Sequence, residues 1–235
     1  MGWVQQQCAD RVVDVFGFNA LQIGLPSLDL LSANRIPLRI KIDTVGDVDL
    51  CCHLTELPLA SQSIDLVVLP FVLDFDADPH QVLREIERVL RPEGQLLIIG
   101  FNPWSLWGFW RWVNRLPYPL VQRPRSFPWN GKYLSIARLR DWLQLLSFEV
   151  DRGAFGCYVP PCGSAKMLGR LSFLERAGDR WWRGAGGTYL LRAVKRVKGM
   201  RLMPPWATVT PSSGQRVLKP SLTGATGVRQ EGKSE

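Results

Sequence analysis

The stretch from Ile64 to Pro103 constrains this chain more than any other. Ile64-Asp65-Leu66-Val67-Val68-Leu69 is an apolar run of strand length around one acidic residue, the pattern of a strand buried on both faces of a parallel sheet. Asp78-Pro79-His80-Gln81 then supplies an Asp N-cap, a proline at the first helical position and a Gln three residues after the cap. Val82, Leu83, Ile86, Val89 and Leu90 form one stripe, and Arg84, Glu85, Glu87 and Arg88 are expected to face away from it. Gly94 in Arg91-Pro92-Glu93-Gly94 is expected to end the helix before a second buried strand, Leu96-Leu97-Ile98-Ile99. A strand–helix–strand crossover lays its two strands parallel, so the chain is α/β.

With 46% hydrophobic residues, a chain of 235 can bury a substantial core, which excludes global disorder. No apolar run approaches the roughly 18–20 residues of a spanning helix. Met1-Gly2-Trp3-Val4-Gln5-Gln6-Gln7 has no basic start followed by an apolar stretch, so no secretory signal is expected. Cys8, Cys51, Cys52, Cys157 and Cys162 are odd in number and lack paired C-x-x-C spacing. Reduced thiols in a cytoplasmic protein are therefore expected rather than structural zinc. The net charge of +8 is unevenly divided. Residues 1–100 carry seven Lys/Arg against 14 Asp/Glu, whereas residues 101–235 carry 22 against seven. This asymmetry points to a polyanion partner for the second half, or else to a solubilising surface with a basic tail.

Further elements follow along the chain. Asp10 to Phe16 reads as the end of a helix with Val12, Val13 and Phe16 on one side, and Phe18 to Gly24 as a first strand ending at a glycine. Leu28 to Leu31 is expected to start a short helix. Leu38-Arg39-Ile40-Lys41-Ile42-Asp43 alternates as a strand, and Asp49 to His53 reads as another. Pro103 to Trp129 is dense in Trp, Arg and Pro, just past the C-terminal end of a central strand, where open α/β sheets bind ligands. Ser135 is the N-cap of a helix with Ile136, Leu139, Trp142, Leu143 and Leu146 inward. Phe148-Glu149-Val150 and Thr188 to Val194 read as strands around a Gly/Pro-rich stretch, 153–187, without a readable pattern. Residues 203–235 have the composition of a disordered basic tail.

Glu56 to Val68 resembles the segment entering the fourth strand of class I S-adenosylmethionine-dependent methyltransferases (the methyltransferase type 11 group), and Leu83 to Ile98 resembles their next helix, turn and fifth strand. Arg138 to Leu143 with Phe148 to Val150 is similar to the last helix and sixth strand, and Tyr189 to Lys195 to the seventh. The resemblance implies a Rossmann-like, mostly parallel class I methyltransferase sheet. The methyltransferase-like domain would span 1–202, with 103–134 as an insertion or lid. Asp43 to Asp49 leaves too few residues for a crossover helix, so the edge near the second and third strands is either rebuilt, or Leu38–Asp43 is not the second strand.

The resemblance also implies S-adenosyl-L-methionine as cofactor, held at Gln22, Gly24, Asp43, His53, Leu54 and Pro70. Asp43 corresponds to the second-strand carboxylate that binds the ribose hydroxyls, and His53 falls where a third-strand acid faces the adenine. Gly24 matches the first glycine of the family's loop, but Pro26 and Leu28 occupy the places of the next two, so the loop must take another shape. Phe71 either packs beside the cofactor or belongs to the core, and Asp65 is read as structural. Asn102, Trp104 and Trp107 are candidate substrate-binding residues, a polar anchor with apolar walls; the alternative is that these tryptophans pack over the end of the sheet. No general-base constellation stands out, and methyl transfer driven by alignment does not require one. Three functions stay open: a methyltransferase of unknown acceptor, a non-enzymatic relative that keeps the fold for binding, and a basic adaptor for nucleic acid or an anionic membrane surface.

Overall fold

A computed structural model describes residues 2–105, 108, 131–158 and 183–196. Seven strands form one sheet: β1 (Asn19–Ile23), β2 (Leu38–Asp43), β3 (Leu50–Cys51), β4 (Ile64–Pro70), β5 (Leu90–Phe101), β6 (Phe148–Gly156) and β7 (Thr188–Lys195). Their order is β3-β2-β1-β4-β5-β7-β6. The first five are mutually parallel, and β7 runs antiparallel to both neighbours. Trp107 and the stretches 109–130, 159–182 and 203–235 lie outside the described residues.

The period-two alternation of the strands assigns each side chain to one of two cores. Leu21, Ile23, Val67, Leu69, Leu96, Ile98, Tyr189 and Leu191 face α3 (Pro79–Val89) and α4 (Ile136–Leu145). Ala20, Leu66, Val68, Leu97, Ile99 and Leu190 face α1 (Gly2–Val12) and the segment from Leu30 to Ile36. Because β4 and β5 are covered on both faces, their sequences are continuous apolar runs rather than alternating ones. A four-residue helix, α2 (Val72–Phe75), follows β4.

The stripe of α3 is wholly buried, as its spacing requires: Val82, Leu83, Ile86 and Val89 are inaccessible to solvent. Asp78 accepts from the Gln81 N–H at 3.1 Å, but the reciprocal half of the capping box is absent, and the Asp78 N–H donates to Asp76 instead. The helix ends at Val89, not at Gly94. Leu90 is already extended and pairs with Ile64, and the left-handed residue of the turn is Glu93. Lys195, although on β7, reaches the carbonyls of Glu87 and Leu90 and the Glu87 carboxylate, closing the C-terminal end of α3. The outward charges of α3 are also engaged. Arg88 pairs with Glu85 at 2.8 Å and donates to the Leu57 and Leu59 carbonyls, fastening the connection from β3 to β4.

The edge is rebuilt. β2 and β3 pair in parallel, Ile42 with Leu50 and Asp43 with Cys51, across a loop of six residues without a helix. Asp49 makes this turn possible: its N–H donates to the Lys41 carbonyl and its carboxylate accepts from the Lys41 N–H. The helix expected from Leu28 to Leu31 does not form; the segment consists of turns shaped by Gln22. Nor do Val13 and Phe16 share a buried side with Val12, because α1 stops at Val12. Val15 takes the inward position, and Val13 and Phe16 are exposed.

Asp65 is structural. It accepts from the Phe18 and Asn19 N–H groups at 2.7 and 3.0 Å and from Arg91 at 2.9 Å, tying the entry of β1 to β4. Burial opposes its ionisation, but these bonds together outweigh burial and hold its pKa below the usual carboxylate value. A carboxyl depressed in the folded state contributes stability that is present above its unfolded pKa and is lost as pH falls through the folded one. Asp65→Asn should therefore cost about 1–3 kcal/mol at neutral pH and flatten the acid limb of the stability curve. Denaturant midpoints of both proteins from pH 7 down to pH 3 measure this, and parallel curves would disprove it.

Candidate functional site

The C-terminal ends of β1, β2, β3 and β4 bring most of the expected cofactor residues side by side. The loop after β1 is shaped from within. Gln22 is completely buried, and its amide nitrogen donates to the carbonyls of Gly24, Leu25 and Leu28 while its oxygen accepts from the Leu30 N–H at 3.0 Å. One side chain thus does for this loop what further glycines do in a tighter one. Gly24 has φ +84° and its N–H donates to the Ile42 carbonyl at 2.7 Å. A Cβ there would lie 2.6 Å from Val72 Cγ2, so the position admits only glycine on two grounds. Pro26 lies against Gly46 of the β2–β3 turn, 3.5 Å from where a Cβ on that glycine would stand.

Asp43 ends β2. Its Oδ1 accepts from the Thr44 N–H at 2.7 Å, and Oδ2 has no partner among the described residues. His53 is exposed just beyond β3, in the strand-end segment that the Cys52 N–H fastens to the Asp43 carbonyl. Leu54 is core, packed with Leu57 and Ile42. Pro70 ends β4 buried beside Gly24, its carbonyl oxygen 3.7 Å from the Cβ position there. Phe71 is left-handed (φ 60°), buried, and stacks on Phe101 with ring centroids 4.4 Å apart.

A second group lies at the ends of β4, β5 and β7. Asp74 is 1% exposed, yet nothing in the linear pattern singles it out. Its Oδ2 accepts from the Phe101 N–H at 2.9 Å, its Oδ1 from the Leu134 N–H at 3.2 Å, and its carbonyl from the Lys132 N–H at 2.6 Å. It therefore joins the point where the chain leaves β5 to the point where it returns before α4. The only available signal is an acidic residue inside an apolar helical turn, Val72-Leu73-Asp74-Phe75. The Tyr189 hydroxyl and Asp74 Oδ2 converge on Gly100, where a Cβ would lie 2.5 and 3.2 Å from them. Burial, and then the Asp74 charge, push the Tyr189 phenol well up, so it stays protonated. Phe101 is stacked between Phe71 and Tyr133, with Phe75 edge-on.

Asn102 is 3% exposed and holds backbone: its amide donates to the Gly184 and Gly186 carbonyls and its oxygen accepts from the Trp104 N–H. Trp104 is 83% exposed, which excludes packing over the sheet end for this tryptophan. Among the described residues, no cluster of His, Cys, Asp and Glu is arranged to hold a metal, and no helix is long and apolar enough to cross a membrane.

The strand order defines the class of fold: this is a Rossmann-like sheet of the class I methyltransferase type. Residues 6–98 match the family model described as a methyltransferase domain. The chain is 32% identical over 159 residues to the Escherichia coli (strain K12) protein named "Uncharacterized protein YafS", a match covering 63% of this chain and 59% of that one. It thus spans about three-fifths of that relative's length. A segment of 56 residues is 41% identical to malonyl-[acyl-carrier protein] O-methyltransferase of Methylovorus sp. (strain MP688), covering 24% of this chain and 19% of that protein. Two solved structures superpose with a TM-score of 0.60 over 83% of this chain. One is the Haloferax volcanii putative methyltransferase from a complex with the Trm112 activator (18% identity, 90% of that chain), and the other a Thermotoga maritima methyltransferase described as a possible histamine N-methyltransferase (16%, 89%).

Proposed function

We propose that the protein is an S-adenosylmethionine-dependent methyltransferase whose acceptor binds beside the Phe101 aromatic stack. The observation that carries this reading is the convergence of Gly24, Asp43, His53 and Pro70 on adjacent strand ends, with one Asp43 carboxylate oxygen left without a partner among the described residues. Such an oxygen suits a vicinal diol, because a carboxylate accepts from both hydroxyls. Gly24 would let the backbone approach the ligand, Pro70 would border it, and His53 would meet the adenine through a neutral ring nitrogen. Gln22 acts on the loop rather than on the ligand, and Leu54 contributes only from the core behind it. The cofactor supplies an electrophilic methyl group on a sulfonium. The chain's share is to align an acceptor, with Asn102 holding the wall and Trp104 offering an apolar surface. The reading keeps residues 1–202 as the methyltransferase-like domain, with 103–134 as the acceptor-side insertion. Cytoplasmic residence accompanies it, supported by the free thiols Cys8, Cys51 and Cys52. A polyanion contact through the basic second half is an accompanying expectation.

Calorimetry of the full chain with S-adenosylmethionine and S-adenosylhomocysteine tests the proposal. Binding should be seen in the micromolar range, and Asp43→Ala should weaken it about tenfold, the loss expected for a charge-assisted hydrogen bond. Absence of binding by the wild-type protein at high micromolar ligand would reduce the assignment to a fold retained for another purpose.

A further inference from the structure

The short helix α2 touches the loop after β1 with one side chain and the segments beside the Phe101 stack with another. Up to Phe71 the chain is fixed to the sheet, because the Phe71 N–H still donates to the Ile99 carbonyl at 2.8 Å. There it turns away in a left-handed conformation (φ 60°), which a residue with a Cβ keeps only where its surroundings hold it. The stack of the Phe71 ring on Phe101 supplies that hold. The single turn that follows is closed by the Asp74 N–H on the Phe71 carbonyl and by the Asp76 N–H on the Val72 carbonyl. So short a closed turn shifts as one piece.

Val72 and Asp74 leave this turn in nearly opposite directions, since two positions along a helix amount to about 200° of rotation. Val72 faces the loop after β1. Its Cγ2 stands 2.6 Å from where a Cβ on Gly24 would be, so it fills the space that the glycine leaves open. Asp74 accepts from the Phe101 N–H on Oδ2 and from the Leu134 N–H on Oδ1, while its carbonyl accepts from the Lys132 N–H. Phe75 adds to that side: a Cβ on Gly131 would lie 3.0 Å from its Cε1. One turn of helix thus links Gly24 to both the segment that leaves β5 and the segment that returns before α4.

We propose that Val72 and Asp74 are positioning residues, through which the loop after β1 sets how firmly α2 holds the segments around Phe101 and Leu134; the cofactor's part in this rests on the methyltransferase reading above. A ligand drawn to the Gly24 backbone competes with Val72 for the same space, and a ligand shifts an equilibrium only through such a difference between two arrangements. Withdrawal of Val72 carries Asp74 with it and loosens its hold on the N–H groups of Phe101, Lys132 and Leu134. The acceptor therefore meets a looser wall once the cofactor is in place.

Amide exchange of the full chain, resolved by residue, with and without saturating S-adenosylhomocysteine, tests this. Without ligand, Val72→Ala should quicken exchange at Phe101, Lys132 and Leu134 about tenfold relative to Leu143 on α4. Val72→Thr keeps the branched shape and should behave as wild type. Saturating S-adenosylhomocysteine should quicken the same three amides in the wild type and add little in Val72→Ala, an effect that a merely structural Val72 would not produce. Two results overturn the proposal while leaving the methyltransferase reading standing. One is calorimetric binding of S-adenosylhomocysteine with those amides unmoved relative to Leu143; the other is wild-type exchange at all three in Val72→Ala. No binding by the wild type, with the Val72→Ala effect present, supports the link through α2 and overturns the methyltransferase reading.

Discussion

Asp74→Ala is expected to destabilise the protein by about 2–5 kcal/mol, because it strands two buried N–H groups, each worth about 1–3 kcal/mol when left without a partner. Those groups belong to Phe101 and Leu134, on the two segments that the carboxylate joins. The loss should therefore be local as well as global. Amide exchange at Phe101 and Leu134 should quicken in the variant before the central strands are affected. Asp74→Asn should fall between wild type and alanine: its carbonyl can serve one N–H, while its amide would face the other donor. The denaturant midpoint, with an unchanged m-value, gives the free energy. An alanine variant within about 0.5 kcal/mol of wild type, the range of ordinary surface changes, would show that Asp74 joins nothing of consequence.

Gln22→Glu should be the most harmful change in the loop after β1, and Gln22→Leu the next. In the wild type the amide nitrogen faces three carbonyl oxygens and the amide oxygen faces one N–H, all in a fully buried setting. Leucine removes both halves of that arrangement and should cost about 2–4 kcal/mol, the sum of several buried groups losing partners. Glutamate keeps the shape but replaces the donor with acceptors, setting a carboxylate against the carbonyls of Gly24, Leu25 and Leu28. Burial of an unpaired charge costs more than loss of a neutral bond. On the proposed methyltransferase reading, both variants should also lose S-adenosylmethionine affinity by at least about tenfold (1.4 kcal/mol), since Gly24 hangs from the same loop. Chemical unfolding and calorimetry on the same samples separate the two effects. A Gln22→Glu protein as stable as Gln22→Leu would contradict the assigned direction of these bonds.

Such effects show where linear pattern stops being informative. The arrangement around Gln22 depends on carbonyls two, three and six residues further on, all turned toward one amide, and no periodicity encodes that. A polar residue at the penultimate position of a strand reads equally well as a ligand. For the same reason the turns at Leu28–Leu31 pass for the start of a helix. Asp74 is still less legible. Its partners are 27 and 60 residues away, and its own neighbourhood, Val72-Leu73-Asp74-Phe75, looks like the solvent side of an amphipathic turn. Glu85 and Arg88 give the same lesson on α3, where side chains on the polar face hold a distant segment.

What the sequence determined by itself was everything that repeats at short range: the buried strands at Ile64–Leu69 and Leu96–Ile99, the stripe and Asp78 cap of α3, and the Ser135 cap and inner face of α4. These follow from backbone geometry, which forces apolar residues to recur every two or roughly 3.6 positions whatever the rest of the chain does. Only the tertiary structure decided how the helix-free edge closes on Asp49 and which oxygen of Asp43 has no partner among the described residues. Those depend on the directions of individual N–H, C=O and charged groups brought together from far apart in the chain. A hydrogen bond is fixed by angle and distance, and no residue spacing carries either.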